Sequence, residues 1–359
     1  MEVHLVSGFL GSGKTTAIIG TARQLVEQGV KVAVITNDQG SDLVDTGLFQ
    51  SAGITSGEVA GGCFCCMYND LTSEIKRIRE TVDPQIVFAE AVGSCTDLVA
   101  TVVRPLELGL SNGIRVGSYS VFVDVNLLGY WLSGMNLPFT DDIRYIFEQQ
   151  INESTILIVN KIDLLSEHSR ERVRERLQAI FPGKKIMLQS SLDASDLNAW
   201  WSQIHSAGKS IGESIDIDYD RYASGESQLA WYNSRITLSG EDSARREYLF
   251  RFMREFQKTI QENSIPVGHA KLLASDEHTT VKYSMVHDQK WSESPYDADR
   301  LRPDAFVLNA RLECTASLAV SLIHDSLNSA LTEGGDIEIE ICDEQAFHPA
   351  YPEPLHRMA

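Results

Sequence analysis

The stretch "VHLVSGFLGSGKTT", residues 3–16, constrains this chain more than any other. An apolar run from Val3 to Gly8 reads as a buried strand, and a helical pattern begins at Thr15 and continues to about Gln28. Between them Gly8 to Thr15 fits GxxxxGK[ST], in the one context where that spacing carries chemistry. Glycines let backbone N–H groups curl round a phosphate, and the following helix turns its positive end toward the anion. Gly8, Gly11, Ser12, Gly13, Lys14, Thr15 and Thr16 are therefore the expected nucleotide contacts. Lys14 would neutralise β/γ oxygens, and the Thr15 hydroxyl would ligate Mg2+.

The same strand–helix alternation continues through the first half. Strands are expected at Lys31 to Asp38, Gln85 to Gly93, Ser118 to Val125 and Ser154 to Asp163, with helices such as "DLTSEIKRIRET" and "EHSRERVRERLQAIF" between them. Val/Ile-rich strands separated by amphipathic helices predict an α/β fold, a P-loop NTPase whose mostly parallel sheet is covered by helices. At 359 residues the chain has room for about two domains. The expected division is a P-loop domain over 1–205, a Gly/Ser/Asp-rich linker over 206–226, and a smaller C-terminal α+β domain over 227–359. That last part has four strand candidates and two long helices, "SARREYLFRFMREFQKTIQEN" and "ASLAVSLIHDSLNSALTEG".

"NKID", Asn160 to Asp163, ends an apolar strand. The Asp163 carboxylate there can accept hydrogen bonds from N1–H and the 2-amino group of guanine, and adenine offers neither donor. Asn160, Lys161 and Asp163 are thus the expected base-reading residues. Ser190 in "QSS" is either a second base contact or part of an ordinary loop. Asp38, Glu90 and Gly93 close the second and third strand candidates. Two carboxylates at that edge can hold Mg2+ or position water, and a glycine there can offer its N–H to the γ-phosphate. They are the expected catalytic group, with Thr15, Asp38 and Glu90 around magnesium.

"EVAGGCFCCMYNDL" places Cys63, Cys65 and Cys66 within four positions. Residues so close pair poorly as disulfides, because the bridge needs a set separation and direction of the Cβ atoms. Thiolates suit Zn2+, Co2+ or Cu+, and three of them leave a coordination position open, as a carrier requires. The other readings are small buried hydrophobes and a redox switch. Cys95 is either a fourth ligand or a buried thiol. A balance of 31 basic against 50 acidic residues, net −19, argues against nucleic-acid and membrane-surface partners. The absence of a basic, apolar leader and of a long apolar run, with few and clustered cysteines, points to the cytoplasm.

Together the P-loop "GFLGSGKTT", the "ND" after the second strand, "GCFCC", Glu90-x-x-Gly93 and "NKID" resemble the CobW-like GTPases, relatives of the hydrogenase and urease nickel-insertion GTPases. The resemblance covers roughly the first 200 residues. It implies slow GTP hydrolysis coupled to delivery of zinc or cobalt, with the C-terminal domain facing a client metalloprotein or corrinoid protein, and it leaves room for a homodimer. The chain departs from the family's pattern at "AVGSCTDL", where a Thr-Gly-Leu-Ala-Asp-Pro run is usual, and it lacks a His-rich tract. A partner-docking switch with incidental turnover and a small-molecule kinase are the rival classes, and "NKID" argues against the kinase. Arg104 follows the Glu90 region without an evident role.

Overall fold

The computed structural model describes residues 1–38, 44–109, 113–206, 212–287, 290–293, 301–331 and 337–358. The chain divides into two compact units, one formed by residues 1–39, 52–225 and 352–359, the other by 40–51 and 226–351.

In the first unit β1 (Glu2–Gly8), β2 (Val32–Asn37), β3 (Thr55–Val59), β4 (Ile86–Glu90), β5 (Arg115–Asp124), β6 (Ile156–Asn160) and β7 (Lys185–Leu188) pair in the order β3-β2-β4-β1-β5-β6-β7, all in parallel. The inner strands are buried along nearly their whole length, which is why they read as unbroken apolar runs. On one face Trp200 lies under the sheet, its ring edge-on to Phe122 at 5.2 Å. Chain order reverses at β1, which lies between β4 and β5. Sheets of this kind bind ligands outside the carboxyl ends of the strands at such a reversal.

The second unit pairs β8 (Leu229–Gly240), β9 (Val267–Ser275), β10 (Thr280–Met285), β11 (Ser292–Glu293), β12 (Ala305–Glu313) and β13 (Ile337–Phe347) in the antiparallel order β11-β10-β9-β12-β8-β13. Helices Asp242–Glu262 and Ala316–Ala330 contribute Phe252, Phe256, Leu322 and Ile323 to its core. The helix Val44–Ser51 also belongs to this unit, and its first backbone N–H donates to Asn309 Oδ1 at 3.0 Å.

Within the stretch read as a linker, a helix spans Tyr219–Ser227, and its Tyr222 is buried against Tyr145 and Ile146. The last described residues, 352–358, return to the first unit.

Candidate nucleotide and metal site

The phosphate loop is held by backbone geometry that only glycine tolerates. Gly8 has φ +129°, and a Cβ there would stand 2.0 Å from the Phe122 carbonyl oxygen. Gly13, at φ +92°, precedes the helix Lys14–Glu27 and offers it no capping side chain, so the first-turn N–H groups face the loop. Lys14 folds back onto the carbonyls of Gly8 (2.6 Å) and Phe9 (3.3 Å). The Ser12 hydroxyl is buried with no protein partner. A loop with an unpartnered hydroxyl, an uncapped helix start and a buried ammonium suits a triphosphate.

Thr15 donates its hydroxyl to Glu90 Oε1 at 2.8 Å, so two of the three expected magnesium residues already touch. A hydroxyl and a carboxylate beside a phosphate cradle form a hard oxygen set, which fits Mg2+. Gly93 is pressed against the P-loop, where a Cβ would lie 3.1 Å from both the backbone nitrogen and Cα of Leu10. Asp38 stands just past β2, and its N–H donates to the Val59 carbonyl at 3.3 Å.

Asn160, one of the expected base-reading residues, is braced from two sides. Asn160 donates to the Ser12 carbonyl (2.7 Å) and accepts from the backbone N–H and hydroxyl of Ser191 (3.0 and 2.9 Å). It therefore ties the P-loop to the loop after β7. Lys161 adopts φ +64° and donates to Asp124 Oδ2 at 2.6 Å, while Asp163 is exposed on the next turn. The Ser190 N–H donates to Asp196 and its hydroxyl accepts from the Leu192 N–H, within the same turn. The neighbouring Gln189 amide is buried with neither atom partnered.

The three expected metal ligands converge. The sulfurs of Cys63, Cys65 and Cys66 lie within 4.8 Å of one another, with separations of 2.7 Å (63–65), 3.3 Å (63–66) and 3.8 Å (65–66). Four sulfurs around zinc stand about 3.8 Å apart, given Zn–S bonds of about 2.3 Å, so the triad would spread slightly to hold an ion. Hydrogen bonds from the Cys65, Cys66 and Cys95 thiols hold Cys63 well below the usual thiol range. Cys65 is pushed well up by the same contacts, and Cys66 to about 12, chiefly by Cys63. Sulfur donors packed this closely suit a soft cation. Cys63 and Cys65 are buried, and Cys66 is partly exposed.

Three features of this site were not expected from sequence. Asn37 donates to the carbonyls of Val59 (2.9 Å) and Gly62 (2.7 Å) and accepts from the Phe64 N–H (2.8 Å), so the residue before Asp38 carries the cysteine loop. Gln150 donates to the carbonyls of Gly93 (3.0 Å) and Cys95 (2.8 Å). Its signal was a polar residue on the apolar stripe of Ile143, Ile146 and Phe147. Thirdly, residues 353–358 lie over the thiols. The Leu355 N–H donates to the Cys65 carbonyl (3.0 Å), and His356 meets the Tyr68 ring edge-on at 4.7 Å. Arg357 anchors the segment through buried Asp97 (2.8 Å), and Arg104 donates to the Met358 carbonyl (3.0 Å).

Residues 2–188, more than half of the chain, match the family described as CobW/HypB/UreG, nucleotide-binding domain. The chain belongs to this family. It is 39% identical over 253 residues to the zinc chaperone YeiR of Escherichia coli, a match covering 67% of this chain and 65% of that one. It is 26% identical over 218 residues to zinc-regulated GTPase metalloprotein activator 1 of Dictyostelium discoideum, covering 52% and 45% respectively. The chain thus spans about half to two-thirds of the length of these relatives. The nickel complex of HypB from Helicobacter pylori overlays with a TM-score of 0.41 at 17% identity, covering 60% of this chain and 91% of that one.

Proposed function

We propose that the chain is a GTPase that couples GTP binding and hydrolysis to delivery of zinc or cobalt to a client metalloprotein or corrinoid protein. The Asn37 contacts carry this reading: one buried amide joins the strand end that bears Asp38 to the loop that bears the thiols. The names of its relatives, a zinc chaperone and a zinc-regulated GTPase metalloprotein activator, point the same way.

The residues divide the work as follows. P-loop N–H groups and Lys14 bind the phosphates, Lys14 exchanging its carbonyl partners for phosphate oxygens. Asp163 selects guanine, and Asn160 keeps the base and phosphate ends in register. Thr15, Glu90 and Asp38 would hold Mg2+, which supplies charge neutralisation across the β- and γ-phosphates when bound. Gly93 offers its N–H to the γ-phosphate, and Asp38 or Glu90 orients the attacking water. Cys63, Cys65 and Cys66 carry the cargo ion, and the second unit faces the client. Linkage makes the coupling reciprocal: if GTP alters affinity for the ion, the ion alters affinity for GTP by the same factor.

The test is a pair of titrations, zinc with and without a non-hydrolysable GTP analogue, and the analogue with and without zinc. Equal shifts in the two affinities are expected. Unchanged affinities in both directions would refute the coupling, and preference for ATP over GTP would refute the base assignment.

A further inference from the structure

We propose that residues 353–358 form a strap across the cysteine loop, and that its opening admits and releases the ion. The proposal rests on the metal-carrying reading above and adds to it the step that sets the rate of ion exchange. The strap reaches the loop at two points: the Leu355 N–H donates to the Cys65 carbonyl (3.0 Å), and the His356 ring meets Tyr68 edge-on at 4.7 Å. These contacts bracket Cys66, the partly exposed member of the triad, while Cys63 and Cys65 are buried. Cys66 is thus the thiol an ion meets first, and the strap runs beside it.

The two halves of the strap are held differently. At the far end Arg357 donates to Asp97 Oδ2 (2.8 Å) and to the Ile215 carbonyl (2.9 Å). The Met358 N–H donates to the Ala100 carbonyl (2.9 Å), and Arg104 donates to the Met358 carbonyl (3.0 Å). Asp97 is itself buried and takes a second hydrogen bond from the Tyr219 hydroxyl (2.7 Å). On the side of the cysteine loop, Pro352 and Pro354 have no N–H to give, and Leu355 is 50% exposed. Leu355 therefore holds the loop through its backbone rather than through burial. One such bond shifts an opening equilibrium by about fivefold, so this half lifts far more readily than the core strands part. Opening at Leu355 with Arg357 still moored uncovers Cys66 and frees the Cys65 carbonyl, with both sheets left intact.

Stopped-flow zinc transfer between the protein and a chromophoric chelator reads both directions of exchange. Leu355→Pro removes the N–H that holds Cys65. It should speed zinc capture and zinc release alike, each about fivefold, with equilibrium affinity within about twofold of wild type. Arg357→Ala loosens the moored end and should raise both rates in the same way. A segment that only shaped the ligands would give faster release with unaltered capture, and that result would overturn the proposal. Wild-type rates in both variants would overturn it too. Should Leu355→Pro fail to fold, Arg357→Ala still decides, since that side chain is 37% exposed. Zinc held by the thiols at rates indifferent to the strap sinks this proposal alone. Failure of the unmodified protein to bind zinc through cysteine sinks the underlying function with it.

Discussion

Replacing Asn37 with alanine tests the proposed link between nucleotide and thiols. The buried amide makes three hydrogen bonds, at 2.9, 2.7 and 2.8 Å. The bond to Val59 lies within the β2–β3 pairing and survives whether or not the cysteine loop is ordered. The bonds to Gly62 and Phe64 belong to the loop itself. At roughly 1 kcal/mol net for each, Asn37→Ala removes about 2 kcal/mol of loop ordering. Because 1.4 kcal/mol is a factor of ten in affinity, zinc binding should weaken about 30-fold. The assay is competition with a chromophoric chelator at fixed pH, with and without a non-hydrolysable GTP analogue. The variant should also lose most of the analogue's effect, since the residue bonded to Asp38 no longer grips the loop. Asn37→Asp retains an acceptor for Phe64 but no donor, and should fall between. Zinc affinity within threefold of wild type, with the nucleotide effect intact, would show that Asn37 is not the connection.

Lys14→Ala should abolish GTP binding by fluorescent-analogue titration while zinc-only affinity survives, and undiminished nucleotide binding would remove the phosphate assignment. Glu153 is fully buried beneath the Cys95–Val99 segment, accepting from Thr96 (3.1 Å) and the Val99 N–H (3.3 Å), and burial raises its pKa to about 8. The folded state then holds a proton that the unfolded chain releases above the usual carboxyl range. Stability should fall as pH rises from about 4.5 to 8, by at most ~5 kcal/mol. Urea midpoints of Glu153→Gln should lack that slope, and a slope equal to wild type would exclude Glu153 as its source. Arg357→Ala strips buried Asp97 of its cation, leaving it the Tyr219 hydroxyl at 2.7 Å. Arg357 is 37% exposed, so the cost should be about 1–2 kcal/mol, below that of a fully buried pair. Zinc-free alkylation of Cys66 should accelerate as the 353–358 segment loosens, and unchanged labelling would separate that segment from the thiols.

The parts legible in the sequence were those whose cause is local. β1, β2, β4, β5 and β6 lie inside the sheet and bury both faces, so each is a continuous apolar run. The edge strands β3 and β7 were not read as strands: "TSGEV" and "KIML" pair on one side only and keep exposed or half-exposed residues. The P-loop was readable because its glycines answer a requirement of a few consecutive residues, and the three-cysteine cluster for the same reason. Asn37, Gln150 and the 353–358 segment were hidden because they act across the chain. Gln150 reaches back to Gly93 and Cys95, and Leu355 to Cys65, and no periodicity records such pairs. The helix Val44–Ser51 was obscured similarly, since its partner Asn309 lies in a different stretch of the second unit.

The return of residues 353–358 to the thiol loop sets a clock on biosynthesis. Leu355 follows Cys65 by roughly 290 residues, so at ribosomal rates of about 5–20 residues per second the cysteines emerge some 15–60 s before their outer layer exists. During that interval any soft cation nearby can reach sulfur that the finished molecule covers. The nascent chain and the mature protein should consequently differ in metal selectivity, and loading after release is a different event from capture during translation.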